Sequence, residues 1–128
     1  NRLTNIPGSS GYYLQGAITY SNAAKESVLG VDPKLLAQYG AVSEPVAKAM
    51  AVGVRQWAGT DIGLSVTGIA GPGGGTEAKP VGLVFFGFSH AGGTEGYRHQ
   101  LTGDRLQIKD RAALASLNIL RRHLLEEH

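Results

Sequence analysis

Three side chains near the start of the chain could together carry out nucleophilic catalysis. Ser10 belongs to a tight turn, residues 8–11, while Tyr20 and Lys25 lie at and beyond the far end of the strand-like segment that follows. A lysine that is partly desolvated loses its proton more readily and can then accept the proton of a serine hydroxyl. A neighbouring tyrosine can orient or relay that proton. These residue types could form a serine nucleophile activated by lysine, although this segment by itself favours a purely structural role for them.

The spacing of the three residues leaves a structural interpretation open. If segment 12–20 were a straight strand, its ends would be roughly 30 Å apart, so the side chains meet only if the strand bends, is shorter, or is complemented by a second chain. In the alternative interpretation, Ser9 and Ser10 cap a turn, Tyr20 packs in the interior and Lys25 is solvated. The sequence also does not separate Ser9 from Ser10 as the nucleophile.

A glycine-rich loop, residues 67–76, lies between two apolar segments. Because glycine has no Cβ, such a loop can bring backbone N–H groups close to an anion. Thr67 and the N–H groups of residues 68–71 are therefore candidate donors to an oxyanion or a phosphate. A wide hairpin turn between two buried strands explains the same composition. The loop is neither a Walker A motif nor a GxGxxG turn that opens a helix. The candidate substrate-binding glycines are Gly68, Gly71, Gly73 and Gly74.

Two cationic residues could act with this loop. Arg105 follows Asp104 at the start of the predicted last helix, where the helix dipole disfavours a positive charge. A guanidinium group at such a place can bind a carboxylate or phosphate through two hydrogen bonds, although an ordinary first-turn arginine remains the alternative. Lys79 brings one positive charge to the end of the loop.

The histidines and the charged end of the last helix give weaker signals. The four histidines lack the spacing of metal ligands, and we predict that they lie on the surface: His90, His99, His123 and His128. Arg121 and Arg122 are expected to be part of a solvated helix end and not of a binding patch.

The composition is that of one ordinary globular domain. The chain has 128 residues, of which 42% are hydrophobic and 17% charged, and its formal net charge of +2 is too small to indicate a nucleic-acid partner. Because cysteine is absent, thiolate nucleophiles, disulfides and cysteine metal sites are excluded. No segment approaches the roughly 18 apolar residues of a membrane span. We expect a cytoplasmic protein without a signal peptide, a membrane partner or a nucleic-acid partner.

Hydrophobic periodicity and capping residues predict a three-layer α/β/α fold with a mixed sheet, as a single domain over residues 1–128. The apolar face of the third predicted helix, which Ser43 caps, includes Trp57. The segment 80–88 is apolar on both faces and is expected to be the central strand. The predicted strands are 12–20, 61–66, 80–88 and 94–101, and the predicted helices are 23–29, 32–38, 43–57 and 104–125.

The motifs together resemble a known family. The segments PGSS, GAITYSNAAK, GAVSE, TGIAGPGG, KPVG and GDR occur in this order along the chain. They resemble the carboxy-terminal domain of the CinA proteins, a family that includes stand-alone nicotinamide-nucleotide amidohydrolases. The resemblance covers essentially the whole chain, and TGIAGPGG followed by KPVG is its most specific part.

The resemblance implies hydrolysis of the carboxamide of nicotinamide mononucleotide to nicotinic acid mononucleotide and ammonia, with no cofactor and no metal. It ties five residues to activity: Ser10 as nucleophile, Lys25 as base, Tyr20 as its assistant, Thr67 as an oxyanion donor and Arg105 as a substrate ligand. It also implies a small-molecule nucleotide as the partner, and we expect a homo-oligomer. Two alternatives remain open. The domain could be a nucleotide-binding or partner-binding module without turnover, or it could hydrolyse another small amide.

The start of the chain departs from the family pattern. Family members begin with a strand and an SCTGG-type helix start, whereas this sequence starts at Asn1. We expect that the lack of these elements would remove a helix N-terminus able to bind phosphate.

Overall fold

The computed structural model describes residues 30–126, without the side chain of Glu126. The predicted strand 12–20 and helix 23–29 lie outside the described residues, as do the three predicted catalytic residues Ser10, Tyr20 and Lys25. In chain order the described elements are α1 (Pro33–Tyr39), α2 (Glu44–Ala58), β1 (Gly63–Gly68), β2 (Leu83–His90), β3 (Gly93–Gln100) and α3 (Arg105–Glu126).

The first two helices begin where their capping residues predict. The Asp32 side chain accepts a hydrogen bond of 2.9 Å from the backbone N–H of Lys34, with Pro33 at the first helical position. The Ser43 hydroxyl accepts from Val46 N–H at 3.4 Å. Both interactions satisfy an N–H group that has no partner inside its helix, which explains why these local predictions are confirmed.

Helix α3 begins with a reciprocal cap. The Asp104 carboxylate accepts from Gln107 N–H at 2.8 Å, and the Gln107 side chain accepts from Asp104 N–H at 2.9 Å. The predicted start of this helix is confirmed. The cap fixes the direction in which the first turn, with Arg105, leaves the preceding loop.

The three described strands form one antiparallel sheet in the order β1-β2-β3. Strand β2 is central, as predicted, and its two faces are both largely buried. The pairing places Gly68 opposite Val84 and Phe86 opposite Tyr97. Since every described pairing is antiparallel, the mixed character that we predicted would have to come from segment 12–20, which lies outside the described residues.

The sheet lies between α2 and α3, so the described part of the chain has the predicted three layers. On one face the Ser65 hydroxyl donates to the carbonyl oxygen of Ala47 in α2 at 2.5 Å. Gly87 lies beside the same carbonyl, and a Cβ there would be 2.1 Å from it. On the other face Phe86 and Phe88 pack against α3. The core on that side contains Ile62, Val84, Phe86, Phe88, Ala112, Ile119 and Leu120. This arrangement confirms the α/β fold class.

One residue of the predicted apolar face of α2, Trp57, was wrongly predicted to be buried. Val46, Met50 and Val54 are buried against α1, whereas Trp57 is 53% exposed. The helix ends one residue later, at Ala58, and Gly59 adopts a left-handed conformation with φ of +65°. The indole therefore lies beyond the packed part of the helix. Within residues 30–126, no helix combines the length and the apolar character needed to cross a membrane.

Candidate functional site

A cavity of about 390 Å³ lies where the end of β1 meets the first turns of α3. It unites three of the predicted site residues, Thr67, Gly68 and Arg105, which are separated by up to 38 positions in the sequence. The remaining lining residues are mostly apolar: Ala41, Val42, Met50, Val66, Ile69, Ala70, Val84, Ile108, Lys109 and Ala112. An apolar cavity with a few converging polar groups is the usual form of a small-molecule site.

Arg105 is held against the glycine-rich loop. Its Nη1 donates a hydrogen bond of 2.9 Å to the carbonyl oxygen of Gly71. Since a guanidinium group has five N–H donors, this bond leaves the others available to a ligand. The contact fixes the position of a permanent positive charge at the cavity.

The loop presents unused backbone donors beside this charge. Ile69 N–H donates to the carbonyl oxygen of Leu83 at 3.0 Å, so it continues the β1–β2 ladder. In an antiparallel pair, successive N–H groups point alternately toward and away from the partner strand. The N–H group of Gly68, the residue before Ile69, therefore points to the opposite edge of β1. Among the described residues, no partner accepts from the N–H of Ala70 or Gly71. These groups are suitable donors to an anion.

Thr67 faces the other side of the sheet from Gly68. Its side chain is buried, and Oγ1 donates to the carbonyl oxygen of Ala41 at 2.9 Å. The hydroxyl hydrogen is therefore used within the protein, while the lone pairs of the oxygen remain available. The bond ties the segment before α2 to the end of β1, so Thr67 helps to shape the cavity wall.

The two interpretations of the glycine-rich loop apply to different parts of it. Residues 69–82 form the wide hairpin connection between β1 and β2. Only the beginning of this connection lines the cavity; Gly71 contributes its carbonyl group to Arg105, while Gly73 and Gly74 are exposed and do not line the cavity. Gly68 is needed for packing as well, since a Cβ there would be 2.8 Å from Val84 Cγ2.

Lys79 has a structural partner. Its Nζ donates to the carbonyl oxygen of Tyr39 at 2.6 Å, at the C-terminal end of α1. A cation is favourable there because the last carbonyl groups of a helix carry partial negative charge. Lys79 thus holds the far end of the loop to α1 and does not line the cavity.

Sequence reasoning missed Lys109 as a residue of this cavity. Lys109 lies four residues after Arg105 on α3, and both line the cavity. Residues at this spacing are neighbours on one helix face. The spacing of four residues could have been used for a prediction, because it places a second cation beside any ligand that Arg105 binds.

The prediction that His90, His99 and His123 lie on the surface was wrong. All three are partly buried. The His123 ring lies 4.7 Å from the ring of Phe88 and 4.4 Å from that of His90, and the His99 ring meets Phe86 edge-on at 5.0 Å. One side of each ring thus contacts the apolar core or a neighbouring ring, and each residue is only partly exposed. His128 lies outside the described residues.

Comparison of the sequence with known proteins identifies one family. The CinA C-terminal domain family matches residues 1–124. A putative competence-damage inducible protein of Moorella thermoacetica is 56% identical over 124 residues, which cover 97% of this chain and 30% of that protein. A CinA-like protein of Gloeothece citriformis is 54% identical over 126 residues, with 96% of this chain and 30% of that protein covered.

Solved structures of related proteins have the same fold as this chain. The competence damage-inducible protein A (ComA) of Klebsiella pneumoniae superposes with a TM-score of 0.87 at 35% identity, covering 96% of this chain and 76% of that one. The competence/damage inducible protein CihA of Agrobacterium tumefaciens superposes with a TM-score of 0.85 at 36% identity, covering 94% of this chain and 74% of that one. The chain spans about 30% of the length of the curated relatives it matches. It belongs to the CinA C-terminal domain family.

Proposed function

We propose that this domain hydrolyses the carboxamide of nicotinamide mononucleotide to nicotinic acid mononucleotide and ammonia. Membership of the CinA C-terminal domain family and the resemblance of its motifs to those of nicotinamide-nucleotide amidohydrolases both support this proposal. The observation that carries the proposal is the hydrogen bond between Arg105 Nη1 and the Gly71 carbonyl oxygen. It fixes a positive charge at a cavity of about 390 Å³, beside loop N–H groups that have no acceptor among residues 30–126.

The cationic end of the cavity is suited to the phosphate of the substrate. Arg105 can bind a phosphate oxygen pair with its remaining N–H groups, and Lys109 adds a second positive charge one helical turn away. The apolar wall formed by residues such as Val66, Ile69 and Ile108 is suited to the flat pyridine ring. Substrate phosphate and ring would then be placed by different parts of the same cavity.

The proposed chemistry needs residues outside the described part of the chain. Neutral Lys25, assisted by Tyr20, removes the proton of the Ser10 hydroxyl, and Ser10 Oγ forms a bond to the carboxamide carbon. The C–N bond of the resulting tetrahedral intermediate breaks, and ammonia leaves with the proton that Lys25 returns. Water then attacks the acyl ester, which releases the carboxylic acid and restores the serine.

The loop N–H groups have a defined task in this scheme. The carbonyl oxygen becomes negatively charged in the tetrahedral intermediate, and fixed N–H donors stabilise that charge, commonly by about 3 kcal/mol for each donor. The N–H groups of Gly68, Ala70 and Gly71 are the candidates. Thr67 contributes by holding the cavity wall, since its hydroxyl hydrogen is directed to Ala41.

The test is ammonia release from nicotinamide mononucleotide by the 128-residue chain. We expect turnover that is lost in Ser10→Ala and Lys25→Ala and is retained in Ser9→Ala, which serves as the matched control. Full turnover in both Ser10→Ala and Lys25→Ala would refute the mechanism. If calorimetry detects binding of the mononucleotide but the chain releases no ammonia, the domain is a binding module and the proposed reaction is wrong.

A further inference from the structure

A second cavity, of about 370 Å³, lies between β3 and the C-terminal half of α3. It shares no lining residue with the cavity that contains Arg105. Its lining residues come from two elements, with Glu95, Tyr97 and His99 on β3 and Ala115, Asn118, Ile119, Arg122 and His123 on α3. The amidohydrolase proposal assigns no role to any of them.

Among residues 30–126, α3 packs on β1 and β2, and the cavity lies where the same face of the sheet continues onto β3. The register pairs Phe88 with Glu95, Phe86 with Tyr97 and Val84 with His99, so the β3 side chains point to the α3 side of the sheet. An inward face of this kind is ordinarily apolar. Three polar residues at alternating positions there indicate that this space accommodates polar groups.

The groups around the cavity favour a negative charge. Arg122 lines the cavity from α3. Among the described side chains, the ion pair beside the cavity joins His90 and Glu95 at 4.0 Å and does not include Arg122. His99 and His123 add imidazole groups, and Asn118 adds an amide donor. Arg122 is exposed at the helix end, as its sequence context indicated, but it also lines this cavity.

Glu95, the acidic residue of the cavity, already interacts with two neighbouring residues. Glu95 Oε2 accepts a hydrogen bond of 2.6 Å from the Tyr97 hydroxyl, and Oε1 lies 4.0 Å from His90 Nε2. Its negative charge is therefore directed to the rim formed by these two residues. Arg122, Asn118 and His99 are the donors that we consider for an added ligand.

We propose that this cavity binds a small anion with a phosphate or carboxylate group, held chiefly by Arg122 with help from His99 and Asn118. Arginine recognises such groups through paired hydrogen bonds. The rings of Tyr97, His99 and His123 also line the cavity and suit a ligand that carries a flat apolar part. The volume falls within the range of small-molecule sites.

The experiment is a titration of the complete chain with inorganic phosphate and, separately, with benzoate, followed by NMR of ¹³C-labelled histidine rings and by calorimetry. We expect saturable shifts of the His99 and His123 signals with one or both probes. Arg122→Gln should weaken the affinity at least about tenfold, because it removes a charged hydrogen bond. The control Arg121→Gln alters a neighbouring exposed charge that does not line the cavity and should stay within about twofold.

Binding at the two cavities is separated by repeating the titration with Arg105→Ala. The histidine shifts should persist in this variant, since Arg105 belongs to the other cavity. The proposal is overturned if neither probe shifts the His99 and His123 signals, or if Arg121→Gln and Arg122→Gln weaken binding equally. Failure of the amidase assay would leave these expectations unchanged, because none of the residues is shared.

Discussion

The guanidinium group of Arg105 donates a hydrogen bond of 2.9 Å to the carbonyl oxygen of Gly71, 34 positions earlier in the chain. This bond joins the first turn of α3 to the connection between β1 and β2. A positive charge in the first turn of a helix is unfavourable with respect to the helix dipole. The carbonyl group of Gly71 offsets that cost and holds the side chain where it can reach a bound anion.

Arg105→Ala should therefore impair substrate binding more than the chemical step. If Arg105 holds the phosphate, its loss raises KM for nicotinamide mononucleotide by about tenfold or more, with a smaller change in kcat. Arg105→Lys should give an intermediate KM, since it keeps the charge but loses the planar pair of donors. Steady-state ammonia release across substrate concentrations measures both quantities.

The control for this series is Arg121→Ala, which removes an exposed arginine from the same helix away from the cavity. Its KM should equal that of the unaltered chain within about twofold. An unchanged KM in Arg105→Ala, or equal effects of the two alanine substitutions, would contradict a role of Arg105 in phosphate binding.

Thr67→Val should destabilise the fold by removing the donor to Ala41. Valine nearly matches threonine in shape, so the main change is a part-buried carbonyl group without its hydrogen bond, at a cost of about 1–3 kcal/mol. Thr67→Ser keeps the hydroxyl and should cost less. Urea denaturation measures the free energy of unfolding of each variant. If valine is as stable as threonine, the bond to Ala41 does not hold the cavity wall.

Local chemistry explains why the described helices could be predicted from the sequence. Asp32, Ser43 and Asp104 cap their helices through side-chain contacts within three positions, so the signal and its cause lie in the same short segment. The central position of β2 could also be predicted, since a strand buried on both faces is apolar throughout.

Long-range packing explains what could not be predicted. The partner of Thr67 is a carbonyl group 26 positions away, and the histidines meet across β2, β3 and α3. No short segment records such contacts. Trp57 was wrongly predicted to be buried. Helical periodicity shows which face of a helix is apolar, but it does not show how far along that face the neighbouring helix extends. The motifs identified Arg105, whereas Lys109 belongs to no motif, and its spacing of four residues from Arg105 was the signal that could have identified it.

The close approach of α2 to the sheet predicts that Gly87→Ala is strongly destabilising. A Cβ at Gly87 would lie 2.1 Å from the carbonyl oxygen of Ala47, and backbone atoms must move to relieve this overlap. We expect a loss of about 1–3 kcal/mol in the free energy of unfolding, as for other overpacked interiors. Gly73→Ala is the matched control, since a Cβ at Gly73 would meet no atom within 4 Å. Equal thermal stability of the two variants would contradict the packing interpretation.

The reciprocal cap of α3 predicts a measurable coupling between Asp104 and Gln107. Asp104→Ala removes the acceptor for Gln107 N–H and should lower the free energy of unfolding by about 1 kcal/mol. Asp104→Asn retains a side-chain acceptor and should therefore lower the free energy of unfolding less than Asp104→Ala does. The remaining loss comes mainly from the negative charge that is removed from the helix N-terminus. In Gln107→Ala the return bond to Asp104 N–H is absent, so the double variant should be less destabilised than the sum of the single variants. Strict additivity in denaturant titrations would show that the two bonds form independently, and α3 would then not owe its starting direction to this cap.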